Sequence, residues 1–241
     1  MEFCSPHGRI SYACVLDQSE LFRDLPRAAL DEIRTAGIPR HVLQHDIVFH
    51  QGDAAATLYI VLDGRLRATQ STPDGGQVIF RYLGPGELAG YAVLTGEDQH
   101  PSTVTAVTEA RLLALSRTFM RQIITRYPQT AVNALAVIGR RHLEMQQRLQ
   151  EFSTQGVEQR IARAVLRLAR QAGRRTARGI EIAFPVLRQD LAEMTGANLH
   201  TVSRTVSAWE SSGLVGSGRR RIIVYDVRKL ALIAGEAEEE G

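Results

Sequence analysis

The chain has 241 residues, an apolar fraction of 44% and a formal net charge of +3, figures that exclude a disordered chain and allow one large or two modest cores. Only two cysteines, Cys4 and Cys14, are present, so neither a disulfide framework nor a four-cysteine iron–sulfur site can be built from one chain. No run approaches a membrane span and the N-terminus lacks the charged-then-apolar pattern of a signal peptide, so a cytoplasmic protein with no membrane partner is expected.

The charge is unevenly placed. Residues 154–228 hold thirteen Arg against six acidic residues, a balance of +7, whereas residues 1–153 come to −1 and residues 229–241 to −3. A positive field on one part of the chain is the electrostatic footprint expected of nucleic-acid binding. Lys229 is the only lysine, which reads as genome bias rather than function.

Residues 1–19 carry no clear period, and Cys4, His7 and Cys14 are too scattered to read as a metal site. From Ser19 to Ile38 the apolar positions Leu21, Phe22, Leu25, Leu30 and Ile33 suggest one or two short helices, with Pro26 in the first turn of the second. Residues 39–116 change character. The apolar runs at 47–49, 58–62, 78–80 and 112–115 are separated by Gly52-Asp53, Asp63-Gly64, Asp74-Gly75-Gly76 and Gly84-Pro85-Gly86. That density of turns predicts a compact antiparallel barrel or roll.

A long helix is expected from near Pro128. Its residues Leu135, Ile138, His142, Met145, Leu149 and Phe152 are spaced three, four, three, four and three, the alternation of a coiled-coil seam, and predict a homodimer interface. His142 is the polar member of that seam, where it would fix register. Ser153 to Gly156 reads as a hinge. Val157 to Gln171 resumes as an amphipathic helix with Ile161, Val165, Leu166 and Leu168 inside and Arg160, Arg163, Arg167 and Arg170 outside.

Leu187 to Ser212 reads as two short helices crossing at a tight turn. Arg188 opens the first, Leu191 and Ala192 face inward, and Gly196 supplies the backbone freedom of the turn. Asn198 caps the second, in which Val202, Val206 and Trp209 form the buried stripe. Leu199, His200, Thr201, Ser203 and Arg204 are left on the exposed N-terminal half, with Arg188 and Gln189 beside them; this is the part of a recognition helix that reaches base edges. Arg204 is the candidate reader of a guanine, because its guanidinium fork matches the two major-groove acceptors of that base. Gly213 to Val215 and Arg219 to Tyr225 read as strands about a Gly216-Ser217-Gly218 turn. Such a wing sets Arg219, Arg220 and Arg221 against phosphates. Asp226 can cap a last helix through Ile233.

The fold class expected is therefore α+β: an N-terminal β-roll sensor with its leading helices over 1–126, a dimerisation helix over 127–153, a winged helix-turn-helix over 154–235 and an acidic tail over 236–241. No nucleophile–base pair, metal-ligand cluster or phosphate-binding glycine loop is evident, and Gly84-Pro85-Gly86-Glu87 reads as a turn, so an enzyme is not expected. A dedicated recognition helix argues against a nucleoid or architectural protein.

The roll with Gly52-Asp53 and Gly64, the long helix and the winged helix-turn-helix together resemble the CRP/FNR superfamily of bacterial transcription regulators, over about Leu21 to Gly235. The resemblance implies a cyclic-nucleotide-binding-like jelly roll and a homodimer on a pseudo-palindromic site in double-stranded DNA, with RNA polymerase as a further partner. It also implies an effector pocket at the roll, for which Gly86, Glu87, Tyr91 and Ser102 are the candidates. In the cyclic-nucleotide sensors the stretch after Gly86-Glu87 carries a Glu for the ribose and an Arg-Ser pair for the cyclic phosphate; Tyr91, Pro101 and Ser102 hold those places here. Without that guanidinium the anion would be desolvated with little compensation, so cyclic AMP and cyclic GMP are disfavoured. The oxygen-sensing branch needs four cysteines and is excluded.

His200 stands where both of those branches have a Glu. The run Glu193 to Arg204, with Ser207-Ala208-Trp209-Glu210 and Gly213-Leu214-Val215, is similar to the NnrR group, nitric-oxide-responsive activators of denitrification genes. Thr205 departs from the aliphatic residue usual in these helices. The likeness implies an activator responding to nitric oxide or a related nitrogen oxide. Haem is then a plausible receiver, with His7, His41, His45, His50, His100 and His142 as candidate ligands. The alternative is a regulator gated by a small organic effector in the roll.

Overall fold

The computed structural model describes residues 12–72, 75–218 and 221–236. It divides into two compact units, Met1–Gln70 with Arg81–Glu144, and Ser71–Phe80 with Met145–Gly241. Cys4, His7, Arg219, Arg220 and the run from residue 237 lie outside the described residues.

The first unit opens with helix α1 (Tyr12–Gln18), a single 3-10 turn (Glu20–Phe22) and α2 (Arg27–Ala36). Helix α1 falls within the stretch read as lacking a period: it is only seven residues long, and Val15 and Leu16 bury next to each other, too few positions to set a repeat. Pro26 stands at the N-cap of α2 rather than in its first turn, and its carbonyl accepts the Ala29 N–H at 2.9 Å.

The roll consists of strands β1 (Ile38–Val42), β2 (Ile47–Phe49), β3 (Thr57–Asp63), β4 (Leu66–Ser71), β5 (Gln77–Leu83), β6 (Leu88–Ala89), β7 (Thr103–Ala106) and β8 (Ala110–Ser116). They form two four-stranded sheets ordered β1-β8-β3-β6 and β2-β7-β4-β5. Strands β1, β4, β6 and β7 are additional to the apolar runs expected. In β7, Thr103 and Thr105 are half-buried between buried Val104 and Ala106, so no contiguous run marks it. Strand β3 is buried on both faces and does appear as a run. Its alternate side chains serve two cores: Leu58, Ile60 and Leu62 pack with Leu16, Phe22, Ile33 and Met120 under the helices, while Tyr59 and Val61 pack with Val42, Val48 and Val104 inside the roll.

After the short α3 (Ala92–Thr95) and α4 (Arg117–Arg126) comes the long helix α5 (Gln129–Thr154). Ser116 caps α4 by accepting the Phe119 N–H at 3.1 Å. Buried Asn133 fastens α5 to the N-terminal helices, its amide donating to the carbonyls of Leu21 at 3.1 Å and Arg23 at 2.7 Å. Helix α5 runs unbroken to Thr154, so the break expected from Ser153 is confined to Gln155 and Gly156.

The second unit contains α6 (Val157–Ala172), β9 (Gly173–Thr176), β10 (Gly179–Ile182), α7 (Arg188–Thr195), α8 (Leu199–Ser211), β11 (Val215–Gly218), β12 (Arg221–Val224) and α9 (Val227–Ile233). Helix α6 packs on α7 and α9, and the four strands form one sheet ordered β11-β12-β10-β9. The β9–β10 hairpin is unannounced in the sequence, since Gly-Arg-Arg-Thr has no apolar alternation. In the wing, Gly216-Ser217-Gly218 lies within β11 and pairs with β12 instead of forming the turn. A Cβ at Gly216 would stand 2.2 Å from the Tyr225 hydroxyl, so this glycine makes room for a ring rather than a reversal. Asp226 caps α9 by accepting the Lys229 N–H at 2.9 Å.

The β3–β4 turn depends on Gly64, whose φ is +85° and whose added Cβ would lie 2.3 Å from the Glu109 carbonyl oxygen. Gly64→Ala therefore combines a disfavoured backbone with a contact against main chain. It should destabilise the roll by about 1–3 kcal/mol, read as a lowered midpoint in thermal unfolding.

Candidate nucleic-acid interface and roll pocket

The helix-turn-helix takes shape from caps and one turn. The Leu187 N–H donates to the Asp190 carboxylate at 2.8 Å at the start of α7, and Gly196 adopts φ +62° between the helices. The Asn198 side chain accepts the Thr201 N–H at 2.7 Å and so opens α8. Val202, Val206 and Trp209 are buried, and the Trp209 indole donates to Glu158 on α6 at 3.0 Å. Thr205 is half-buried beside them.

On the opposite face Leu199, His200 and Arg204 are exposed, while Thr201 and Ser203 are half-buried. Arg204 has no side-chain partner among the described residues, so its fork remains available to an external acceptor. The other candidates are placed differently. Arg188 is half-buried and braces the two helices, bonding the Glu210 carboxylate at 3.1 Å and the Ser203 carbonyl at 3.5 Å. Gln189 bonds Glu193 at 3.0 Å on the surface of α7. In the wing, exposed Arg221 lies 3.6 Å from Glu181.

The end of α5 is fastened within this unit by two adjacent side chains. Glu151 is buried, and Arg167 Nη1 donates to both of its carboxylate oxygens at 2.8 Å, with Arg163 Nη1 at 3.5 Å. Two arginines expected to point outward from α6 are thus half-buried around a carboxylate that sequence reading passes over. The ring of Phe152 lies under the Arg160 guanidinium at 5.2 Å and against Gly196, where an added Cβ would approach it to 2.9 Å. Glu151→Ala should lower the stability of this unit by about 1–3 kcal/mol, because it strands two guanidiniums that hold charge-assisted bonds. Calorimetry on the full chain should show that loss, and Glu151→Gln should recover part of it.

Along α5 the seam is open to water in one protomer. Leu135 and Leu149 are 70% and 69% exposed, Met145, Phe152 and His142 are exposed, and Ile138 is half-buried. Val132 and Leu143 add exposed apolar surface. Among the described residues no helix is long and apolar enough to cross a membrane.

In the first unit an open pocket lies against the roll. Tyr91 and Ser102 line it as expected, and Pro101 joins them; Gly86 and Glu87 do not. Gly86 makes the turn at φ +84°, and Glu87 braces it by accepting the Gly84 N–H at 2.8 Å and pairing with Arg81 at 2.5 Å. Sequence reading misses Arg81 and Arg141 and offers His100 only as one of six haem-ligand candidates; the three line the same space from separate segments.

Of the histidines considered as haem ligands, His41 pairs with Glu109 at 2.6 Å, and His45, His50 and His142 are exposed. His100 alone of the described five is buried and lines the pocket, its ring stacked on Phe49 at 3.8 Å and its Nδ1 without a hydrogen-bond partner. Among the described residues no group of three or more His, Cys, Asp and Glu could hold a metal ion.

Burial holds the His100 imidazole below its ordinary pKa of 6.5; Asp53 opposes the shift and Arg117 adds to it. The folded state disfavours the charged form, so stability is kept above the unfolded value and falls as pH drops through it. Thermal midpoints between about pH 7 and pH 5 should fall more steeply in the wild type than in His100→Asn; parallel slopes would remove His100 from the acid response.

Two segments match known families: residues 39–127 the Cyclic nucleotide-binding domain and residues 159–233 the Crp-like helix-turn-helix domain. Over 186 residues the chain is 33% identical to the Cyclic AMP receptor protein of Thermus thermophilus, spanning 77% of this chain and 82% of that protein. The chain belongs to the CRP/FNR family of transcription regulators. CRP-family regulators bind DNA and act as dimers, and the chain is a transcription regulator rather than an enzyme.

The fold agrees with solved members of the family. FixK2 from Bradyrhizobium japonicum superposes with a TM-score of 0.73 at 21% identity, covering 82% of this chain and 96% of that one. A CRP-family transcriptional regulator from Thermus thermophilus gives 0.70 at 26% identity, covering 84% and 100%.

Proposed function

We propose that this CRP/FNR-family chain is a homodimeric, sequence-specific regulator gated by a small organic effector, other than a cyclic nucleotide, in the roll pocket. The observation that carries the gate is the pocket itself. It gathers Tyr91, Pro101 and Ser102, the places that hold ribose and cyclic phosphate in the nucleotide sensors, together with Arg81, His100 and Arg141. Proline offers no donor to a cyclic phosphate, so the family's usual ligand loses its counter-ion at that position.

In this reading residues 1–126 form the sensor, 127–153 the dimerisation helix, 154–235 the DNA-binding domain and 236–241 an acidic tail, in a cytoplasmic protein that works with RNA polymerase. Leu135, Ile138, His142, Met145, Leu149 and Phe152 meet their counterparts across the two-fold axis. Leu199, His200, Thr201, Ser203 and Arg204 enter the major groove. Arg219, Arg220 and Arg221 serve phosphates, and Asn198, Arg188 and Gln189 support the helix entry.

A second reading is an activator of denitrification genes that responds to nitric oxide. It rests on the likeness of Leu199 to Arg204 to the NnrR helices, with His100 at the pocket the buried member of the candidate haem ligands among the described residues. An anaerobic titration on a two-fold promoter fragment separates the readings. With haem-free and haem-loaded protein, each with and without nitric oxide, tightening only with haem and nitric oxide together supports the second reading, and equal affinity in all four states supports the first.

Footprinting should protect one two-fold site; uniform coverage would instead indicate an architectural protein. Arg204→Ala should remove discrimination at one base pair per half-site at a cost of about 1–3 kcal/mol, measured by competition with single-base variants. An equal loss on every sequence would reassign Arg204 to a phosphate.

A further inference from the structure

The roll pocket is lined by a half-buried arginine that has no direct ion-pair partner among the described residues. Arg141 projects from α5; burial first and nearby Arg81 second lower its pKa to about 10, against the opposing pull of Glu87, Tyr91 and Glu144. Its Nη2 donates to the Leu88 carbonyl at 2.9 Å and its guanidinium lies 4.9 Å from the centre of the Tyr91 ring. No carboxylate stands within ion-pair distance of it among the described residues. The two nearby candidates are committed elsewhere: Glu87 and Glu144 pair with Arg81 at 2.5 and 3.6 Å.

Two further groups in the pocket lack partners. Arg81 Nε and His100 Nδ1 are buried without hydrogen bonds, and His100 is 3% exposed. Burying polar atoms without hydrogen bonds costs free energy. The rest of the wall is apolar, with Phe49, Leu83 and Val104 beside the stacked Phe49–His100 rings. Such a wall suits a flat, apolar body.

We propose that the pocket binds a small planar organic carboxylate, its anionic group held by Arg141 and its ring seated against the apolar wall beside Phe49 and His100. This deepens the gating reading above and rests on it for its regulatory meaning. Arg141 supplies the bidentate fork that a carboxylate matches.

Calorimetric titration of the full-length dimer with benzoate, its neutral analogue benzamide and inorganic phosphate tests this. Benzoate should bind once per protomer, benzamide and phosphate at least about 10-fold more weakly, and Arg141→Gln should weaken benzoate by about 10–100-fold. Arg140→Gln, at an exposed position one residue away, should leave the affinity unchanged. Failure of benzoate to bind at millimolar concentration, equal binding of benzamide or phosphate, or an unaltered Arg141→Gln would each overturn the assignment. Should Arg141→Gln unfold, the benzoate–benzamide comparison on the wild type and the Arg141→Lys variant, which keeps charge without the fork, still decide it. A DNA titration run in parallel separates the two readings: benzoate binding that leaves DNA affinity unaltered sinks the gate and spares the ligand class. Gating by a neutral compound in the same pocket does the reverse.

Discussion

A 26-residue helix whose apolar stripe has no cover in its own protomer is the constraint on which the molecule turns. Leu135, Met145 and Leu149 lie bare on α5 while Ala134 and Val137, on the adjoining face, are buried in the helical core of the first unit. Propensity alone adds little to a helix of that length, and most of its stability must come from burying its apolar faces. One face is satisfied within the chain. The other lies bare among the described residues, and CRP-family regulators act as dimers.

The same helix carries two buried charges that are treated in opposite ways. Glu151 is enclosed by Arg163 and Arg167, which meet both of its oxygens, so its negative charge is fully answered within the second unit. Arg141 in the first unit has a carbonyl and an aromatic face but no carboxylate. A directly paired buried ion fastens the fold, whereas Arg141 faces Glu87 and Glu144 only at longer range and makes no direct ion pair among the described residues.

The helix-turn-helix is legible in the sequence because its requirements are local: a cap at Asn198, a left-handed glycine at 196 and a stripe of Val202, Val206 and Trp209 at helical spacing. The long helix is legible from its three–four alternation. The roll is half legible. Strand β3 stands out as an unbroken apolar run because both its faces are buried, whereas β7 and β4 intersperse buried positions with half-buried polar ones. The pocket is the least legible part, since Arg81, His100 and Arg141 are far apart in the chain and meet only through tertiary folding. Gly216 misleads for a related reason: a glycine in a strand resembles a turn until the Tyr225 ring beside it is seen.

The contact of Phe152 with Gly196 bears on how such regulators can be re-engineered. Any side chain at position 196 would run into the Phe152 ring, so the turn between α7 and α8 is shaped by a residue from outside the motif. The two-helix motif is therefore not a self-contained cassette. Transplanting a whole foreign motif imports a turn that was fitted to a different neighbour, whereas exchanging only the outward face of α8 leaves that fit undisturbed. The outward face of α8 is thus scaffolded in part by Phe152 in the last turn of α5, the helix that precedes the domain.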